Sequence, residues 1–463
     1  MDGIVRACVP SAVPELMQCN FNRVDSPEPM KLEPKLTTEA ERAESQSEVF
    51  TLALISLLAG AAAGLVGVLF RLSLNLAERM RGALITWAHG EAFGGFLLVT
   101  AICAVASAAA AWLVRRYSPQ AAGSGIPHVE AVMRGEVPQA PYRLIPVKFF
   151  GGVLAIGSGL ALGREGPSVQ MGASMANLLG AAFHRNEDDC KMLLAAGAGA
   201  GLATAFNAPI AGAVFVLEEL VRRFDTRITI VTLGASAGAI AVARVFLGDA
   251  PDFHVDTMPY PSFGTVPVHL ALGLVAGCLG VVYNRAIVGT IVLADRLHQL
   301  PVELRAALIG TVVGVIAWFA PDLVGGGDAI TQRTLSGAET GVMLSGVFLL
   351  RFGLGPLSYA AGTPGGLFAP ILVLGSQSGL LFGNICYRWF PAVAANPTTL
   401  GIAGMAAFFT AVVRAPVTGI ILVTEMTGSF TLLLPMLSAC FVAMLIPNLL
   451  GNPPIYDSLP RRF

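Results

Sequence analysis

Apolar residues fall into long runs of spanning length, separated by short polar or glycine- and proline-rich joints. Phe50 to Phe70, Phe93 to Leu113, Val266 to Tyr283 and Thr431 to Leu450 each approach or exceed the roughly 20 residues a helix needs to cross the hydrocarbon layer. Other apolar segments are short and punctuated by glycine or proline, such as Gly125 to Met133 and Leu367 to Phe382. These predict tilted, re-entrant or broken helices, tolerated at membrane depth only where they line protein or a wet cavity. Residues 1–48 carry five prolines, at 10, 14, 27, 29 and 34, and a mixed-charge run from Glu39 to Glu48. They predict a polar N-terminal tail ahead of a membrane domain over 49–452 and a short C-terminal tail over 453–463. The apolar run after Met1 is short and interrupted, so no secretory signal is expected.

The apolar pattern is written twice. Ala208-Pro209-Ile210-Ala211-Gly212-Ala213-Val214-Phe215-Val216-Leu217-Glu218 returns as Ala415-Pro416-Val417-Thr418-Gly419-Ile420-Ile421-Leu422-Val423-Thr424-Glu425, 425 − 218 = 207 positions later. Upstream of each copy, Gly163-Arg164-Glu165-Gly166-Pro167 answers Gly366-Leu367-Phe368-Ala369-Pro370, and Gly172 or Gly375 stands five positions after the proline. Duplication within a hydrophobic chain marks a transporter-type fold with its working site between the repeats. The halves run roughly over 49–250 and 260–452.

Composition agrees. The chain of 463 residues is 54% hydrophobic and 13% charged, about half the charge of a soluble protein. Its mean hydropathy is +0.69. A net charge of −1 leaves no basic footprint for nucleic acid. Cys8, Cys19, Cys103, Cys190, Cys278, Cys386 and Cys440 are scattered without a C-x-x-C pair, which favours packing over disulfides or metal ligation. Arg222, Arg223 and Arg227, and Arg461 and Arg462, place their ends of the domain in the cytoplasm by the positive-inside rule.

Candidate chemistry gathers at three openings: Gly123-Ser124-Gly125-Ile126-Pro127, the Gly163–Pro167 phrase and the Gly366–Pro370 phrase. Proline at the first helical position suits a helix start, and glycine lets the backbone approach an ion closely. Each opening can aim free N–H groups and the positive end of a helix dipole at one point. One such opening is ordinarily just a helix start. Three of them, two at equivalent repeat positions, predict an anion site without a full positive charge.

On these residues the chain resembles the CLC family of chloride channels and chloride/proton exchangers, from about residue 50 to 460. The likeness extends to Ala203–Glu219 and Met405–Glu425, and to Tyr456 within Gly451-Asn452-Pro453-Pro454-Ile455-Tyr456. It implies an all-α polytopic membrane protein of two inverted repeats with many tilted and broken helices. It further implies a prokaryotic type without a C-terminal regulatory domain, a homodimer with one anion pathway per subunit, and residence in a bacterial inner membrane. The three openings then correspond to the family's selectivity filter. Ser124 Oγ and Tyr456 OH become chloride ligands, with backbone amides around Gly166, Leu367 and Phe368. Neutral donors bind an anion firmly yet release it, where a full Lys or Arg would hold it too tightly. Chloride and protons are expected as substrates, the lipid bilayer as partner, and no cofactor or metal.

Glu165 is the candidate gate. Ionised, it competes with the anion for the same donors; protonated, it leaves them. The equivalent position is Phe368, so one repeat alone carries the switch. The bland alternative is a glutamate that merely caps its helix. Glu219 matches the family's inner proton acceptor. Glu218 and Glu219 cannot share a helix face, and both stand four before an arginine, which allows surface ion pairs with Arg222 and Arg223. For Glu218 the structural reading is preferred, because Glu425 repeats it. Lys148, within an apolar segment, is costly unless it supplies a positive field for anions, snorkels or is ion-paired. Arg164 is expected to concentrate anions at the outer mouth, and His128 to be a packing residue.

Three other readings fare worse. Gly197-Ala198-Gly199-Ala200-Gly201 lacks the third glycine of a dinucleotide loop, where Leu202 stands, and better suits close helix packing. Ser158 between two glycines, with His128 elsewhere, has no nucleophile elbow to support a protease. Fluoride export is disfavoured by Ser124. The expected function is exchange of chloride for protons, with a passive chloride channel as the alternative and no enzymatic activity.

Overall fold

The computed structural model describes residues 39–459 apart from 257, 259, 298, 338–340 and 392–395. Residues 1–38 of the expected tail, and Arg461 and Arg462, lie outside the described residues, and from Glu39 the chain is already helical.

Among the described residues, eight helices are followed by eight more in the same order. The first set is α1 (Glu39–Ala88), α2 (Ala92–Tyr117), α3 (Ile126–Met133), α4 (Leu144–Gly157), α5 (Glu165–Ala182), α6 (Glu187–Phe206), α7 (Pro209–Phe215) and α8 (Thr226–Leu247). The second is α9 (Val266–Arg296), α10 (Val302–Phe319), α11 (Asp328–Leu335), α12 (Gly341–Tyr359), α13 (Phe368–Trp389), α14 (Pro397–Val413), α15 (Pro416–Thr427) and α16 (Leu433–Leu449). A short α17 (Ile455–Ser458) comes last. Eight helices of the described chain are long and apolar enough to span a bilayer, including all four runs that the hydropathy pattern marks as spanning.

The two halves meet about a local two-fold relation. Gly163 and Gly366, 203 positions apart, exchange both backbone hydrogen bonds, Gly163 N to Gly366 O at 2.9 Å and Gly366 N to Gly163 O at 2.7 Å. Gly125 and Gly327, 202 apart, both adopt left-handed backbone (φ 85° and 99°) ahead of the eight-residue helices α3 and α11. A side chain rarely tolerates that conformation, so glycine is required where the chain turns into each helix.

Glycine also sets the central crossings. α5 packs on α6 and α13 on α14. A Cβ on Gly172 would lie 2.4 Å from the Gly197 carbonyl oxygen, and one on Gly375 2.6 Å from that of Gly404. The Gly197–Gly201 run is thus a packing surface, as its small residues suggest. In contrast, Leu367 to Phe382 is no broken segment: α13 runs unbroken for 22 residues. Its Gly375, Gly379 and Gly383 recur every fourth position and face the backbone of α14 at Gly404, Leu400 and Pro397. Glycines that resemble breakers in the sequence are contact points on one helix face.

Helices α5, α6, α13 and α14 are mostly buried, whereas α1, α2, α8, α9, α10 and α16 display large apolar residues such as Phe93, Val105, Phe246, Leu293 and Phe441. So much exposed apolar surface fits a lipid-facing rim around a protein-lined centre.

Candidate functional site

The openings of α3, α5 and α13 come together at the centre, and Tyr456 of α17 joins them. The openings differ in one detail from the sequence reading. Pro127 is the second residue of α3, and Pro167 and Pro370 are the third residues of α5 and α13. The consequence is unchanged, because the first turn of a helix has no internal acceptors to offer its donors. Intrahelical bonding begins with Ser168 N to Arg164 O (3.1 Å) and Ile371 N to Leu367 O (3.0 Å). The N–H groups of Gly166, Phe368 and Ala369 are therefore left to serve something else.

Glu165 reaches those of Phe368 and Ala369. It begins α5, is fully buried, and its Oε1 accepts from Phe368 N at 2.6 Å. The carboxyl group fits against Gly163 and Gly366, where a Cβ would stand 2.0 and 2.2 Å from its oxygens. Ser124 lies against the same turn: a Cβ on Gly166 would come within 2.7 Å of Ser124 Oγ. Ser124 N donates to Tyr359 OH at 3.2 Å, while Ser124 Oγ and Tyr456 OH are buried, interact with one another and have no other hydrogen-bond partner among the described residues. Tyr456 is tied in through its ring, 6.0 Å from that of Phe368. Two buried hydroxyls beside helix-start amides are donors suited to an anion, and Glu165 is placed to compete for the amides.

Buried cations shape the loops rather than face the site. Lys148 neither snorkels nor, among the described residues, pairs with an acid. Its Nζ donates to the carbonyls of Ala121 (3.1 Å) and Gly123 (2.8 Å), fixing the loop that presents Ser124. Arg351, 203 positions later, does the same in the second repeat, with donors to Leu323 O, Gly325 O and Gly326 O. This pair escapes a sequence reading because α12 offers no proline-started phrase to align with α4.

The sequence also hides a fourth opening, Gly325-Gly326-Gly327-Asp328, 202 positions after the first. Its only signal is that glycine spacing. Asp328 does not bind an anion; its Oδ2 accepts from Arg164 Nη1 at 2.6 Å. Asp252 takes Arg164 Nη2 at 3.1 Å and Arg71 Nη2 at 2.7 Å, and Ala205 O takes Arg164 Nε at 2.8 Å. The expected anion-concentrating arginine is thus paired with two carboxylates, and its main effect is to anchor the residue before Glu165.

Below the site, Phe368 packs edge-on against Phe409 (4.7 Å) and Phe215 (5.7 Å). Phe215 leads into a π-helical turn, Val216–Leu220, that carries Glu218 and Glu219. That turn defeats the expected ion pairs at i,i+4. Arg222 instead reaches Glu219, at 3.5 Å and three residues away, and shares its charge with Asp457 at 3.6 Å. Glu219 is buried and borders a cleft of about 360 Å³ together with Arg222, Phe224 and Arg414. Glu218 makes no ion pair among the described residues; its carboxylate accepts from the start of α15. His128 is buried in the first turn of α3, and Ser158 donates to Ala155 O and meets Ser107.

With this geometry in view, the likenesses to known proteins are specific. The family model described as voltage gated chloride channel matches residues 106–448. The chain is 40% identical over 425 residues to the H(+)/Cl(-) exchange transporter ClcA of Vibrio cholerae serotype O1 (strain M66-2), covering 89% of this chain and 90% of that protein. It is 37% identical over 425 residues to the transporter of the same name from Cronobacter sakazakii (strain ATCC BAA-894), with 89% and 90% covered. Among solved structures it resembles a slow cyanobacterial Cl-/H+ antiporter, with a TM-score of 0.84, 32% identity, and 88% of this chain and 96% of that one covered. A eukaryotic CLC transporter shares the fold at a TM-score of 0.77 and 21% identity, covering 89% of this chain and 74% of that one.

Proposed function

The chain belongs to the voltage-gated chloride channel (CLC) family, and from that premise we propose that Glu165 is the switch by which it exchanges chloride for protons. It is a multi-pass protein of the bacterial inner membrane, built on two inverted repeats, and a secondary active transporter. Chloride and protons are its substrates. The observation that carries the mechanism is the 2.6 Å bond from Phe368 N–H to Glu165 Oε1. The carboxylate occupies a donor that a chloride would need, so the two exclude one another.

In the cycle, protonation removes the charge that holds Glu165 on the α13 amide. The side chain withdraws, and chloride takes the freed donors: Ser124 Oγ, Tyr456 OH and the amides around Gly166, Leu367 and Phe368. Leu367 contributes as the backbone that turns into α13. Deprotonation returns the carboxylate and expels the anion. The residues of the three openings, Gly123 to Pro127, Gly163 to Pro167 and Gly366 to Pro370, serve as the selectivity filter. Glu219, buried beside the inner cleft, passes protons to and from the cytoplasm. Phe368 touches Glu165 through its backbone and Phe215 through its ring, and Phe215 lies one turn before Glu219. The two acids are therefore joined by an aromatic contact rather than a polar chain. Family membership also supports a homodimer with a pathway in each subunit.

The test is reconstitution in liposomes under an imposed chloride gradient. Uphill proton movement supports exchange. Chloride flux with no proton movement assigns the protein to passive conduction.

A further inference from the structure

Glu218 and Glu425 cap each other's helices. The Glu218 carboxylate accepts from Val417 N (3.0 Å), Thr418 N (2.7 Å) and Thr418 Oγ1 (2.7 Å), at the open start of α15. The Glu425 carboxylate, near the end of α15, accepts from Ile210 N (3.1 Å) and Ala211 N (2.7 Å), at the open start of α7. Each carboxylate satisfies orphan donors and opposes a helix dipole. Together they form a reciprocal clasp across the repeats.

The clasp is symmetric, but the chain beyond each acid is not. After Glu425 the helix runs on to Thr427 and stops at left-handed Gly428 (φ 66°). At the repeat offset the matching stop would fall at 428 − 207 = 221, yet the left-handed residue is Arg222 (φ 54°). The first repeat holds one more residue than the second between clasp and stop. The π turn absorbs it, closed by Val221 N to Val216 O at 2.8 Å. Such a turn is one residue inserted in an α-helix, and it commonly marks a functional site. Because Glu218 keeps register with Glu425, the insertion falls within residues 219–221, beside Glu219. The residue after Glu425 is Met426, also buried but without charge.

We propose that Glu218 is a positioning residue for proton transfer. Pinned to the start of α15, it fixes the inserted turn and so aims Glu219 inward. Glu425 performs the same capping with no acid beside it to aim. The proposal rests on Glu219 being the inner proton acceptor.

The test uses the full-length protein in liposomes, with chloride and proton fluxes recorded together, and compares Glu218→Ala with Glu425→Ala. Both variants lose a cap and should unfold at lower temperature than the parent. Glu218→Ala should also lower the ratio of proton to chloride flux about tenfold, a partial loss of a positioned proton carrier. Glu425→Ala should keep the parent ratio. If Glu218→Ala does not fold, Thr418→Val removes one hydroxyl donor from the clasp and should lower the ratio about twofold, with an intact fold checked by its unfolding temperature. A parent ratio in the Glu218 and Thr418 variants, or an equal fall in Glu425→Ala, would overturn the proposal. A parent protein that moves no protons would overturn both this proposal and the exchange reading, whereas failure of the clasp alone leaves the parent pumping.

Discussion

At the start of α5 stands Glu165, and at the equivalent start of α13, 203 positions later, stands Phe368. The backbones are alike: each turn is preceded by one glycine of the Gly163–Gly366 pair, carries proline third and leaves its first amides without intrahelical acceptors. The side chains divide the work. Glu165 can hold or release a proton; Phe368 has nothing to titrate and lends its N–H to the neighbouring carboxylate. Duplication built a two-sided cradle of donors, and on the proposed mechanism the Glu165/Phe368 difference makes one side a switch. Acids on both sides would compete for the same amides and repel one another, so each would resist ionising while the other was charged. In the proposed mechanism this asymmetry lets a proton oppose the anion.

The largest expected effect comes from erasing that difference. Glu165→Gln should abolish uphill proton movement while chloride flux persists, because the amide carries no proton through the cycle and no charge to compete with. Loss of a positioned acid/base group is worth on the order of a hundredfold or more in rate, so residual pumping should vanish into the leak of empty liposomes. Unaltered pumping would dismiss Glu165 as the switch. Glu219→Gln breaks the other asymmetry, since Met426 answers it in the second repeat. Protons should stop there too, with chloride flux still measurable, as no anion donor is touched. Parent-level pumping in Glu219→Gln would return Glu219 to the role of Arg222's ion-pair partner.

Next in size is a comparison of the two buried cations. Lys148→Met strands the carbonyl of Ala121 and takes one of two donors from that of Gly123, which still accepts from Gly365 N; Arg351→Met strands those of Leu323, Gly325 and Gly326. Each buried group left unpaired costs about 1–3 kcal/mol. Thermal unfolding in detergent should therefore place Arg351→Met below Lys148→Met, and both below the parent. Only Lys148→Met should also weaken chloride binding, because its loop alone presents a hydroxyl. Equal chloride affinity in all three proteins would separate Lys148 from the site.

Range decides which features the sequence disclosed and which it hid. The repeats, the four long spans and the three openings were legible because each is a local phrase whose chemistry is complete within a few residues. Glu218 was recognisable as structural from its repeated partner Glu425, but its cap joins residues 199 and 200 positions apart. Sequence spacing instead pointed to Arg222. The π turn was invisible, since one inserted residue leaves no compositional trace, and it shifted the arginine register by one. Of the readings open for α13, the break is absent: glycine serves both chain breaks and close helix contact, and only the facing carbonyls of α14 tell them apart. Arg164 looked like a free attractor of anions because Asp252 and Asp328 reach it from a loop and from the second repeat.

The smallest effect tests the openings of α3 and α11. Position 124 is serine in the first repeat, and the residue 202 positions later is Gly326. Ser124→Gly gives the first opening the hydroxyl-free form of the second while keeping the backbone N–H that meets Tyr359. One hydrogen bond to a charged partner is worth about 1.5 kcal/mol or more, so chloride should bind roughly tenfold more weakly, as measured by calorimetry. Ser124→Pro removes the N–H as well and frees Tyr359 OH from it. Chloride, compact and dependent on close donors, should lose more than nitrate, whose charge is spread over three oxygens. The preference should therefore move toward nitrate in Ser124→Pro and less so in Ser124→Gly. If both variants bind chloride and nitrate as the parent does, the Ser124 hydroxyl is no ligand, and the asymmetry between the two openings lies in Asp328 and its hold on Arg164 alone.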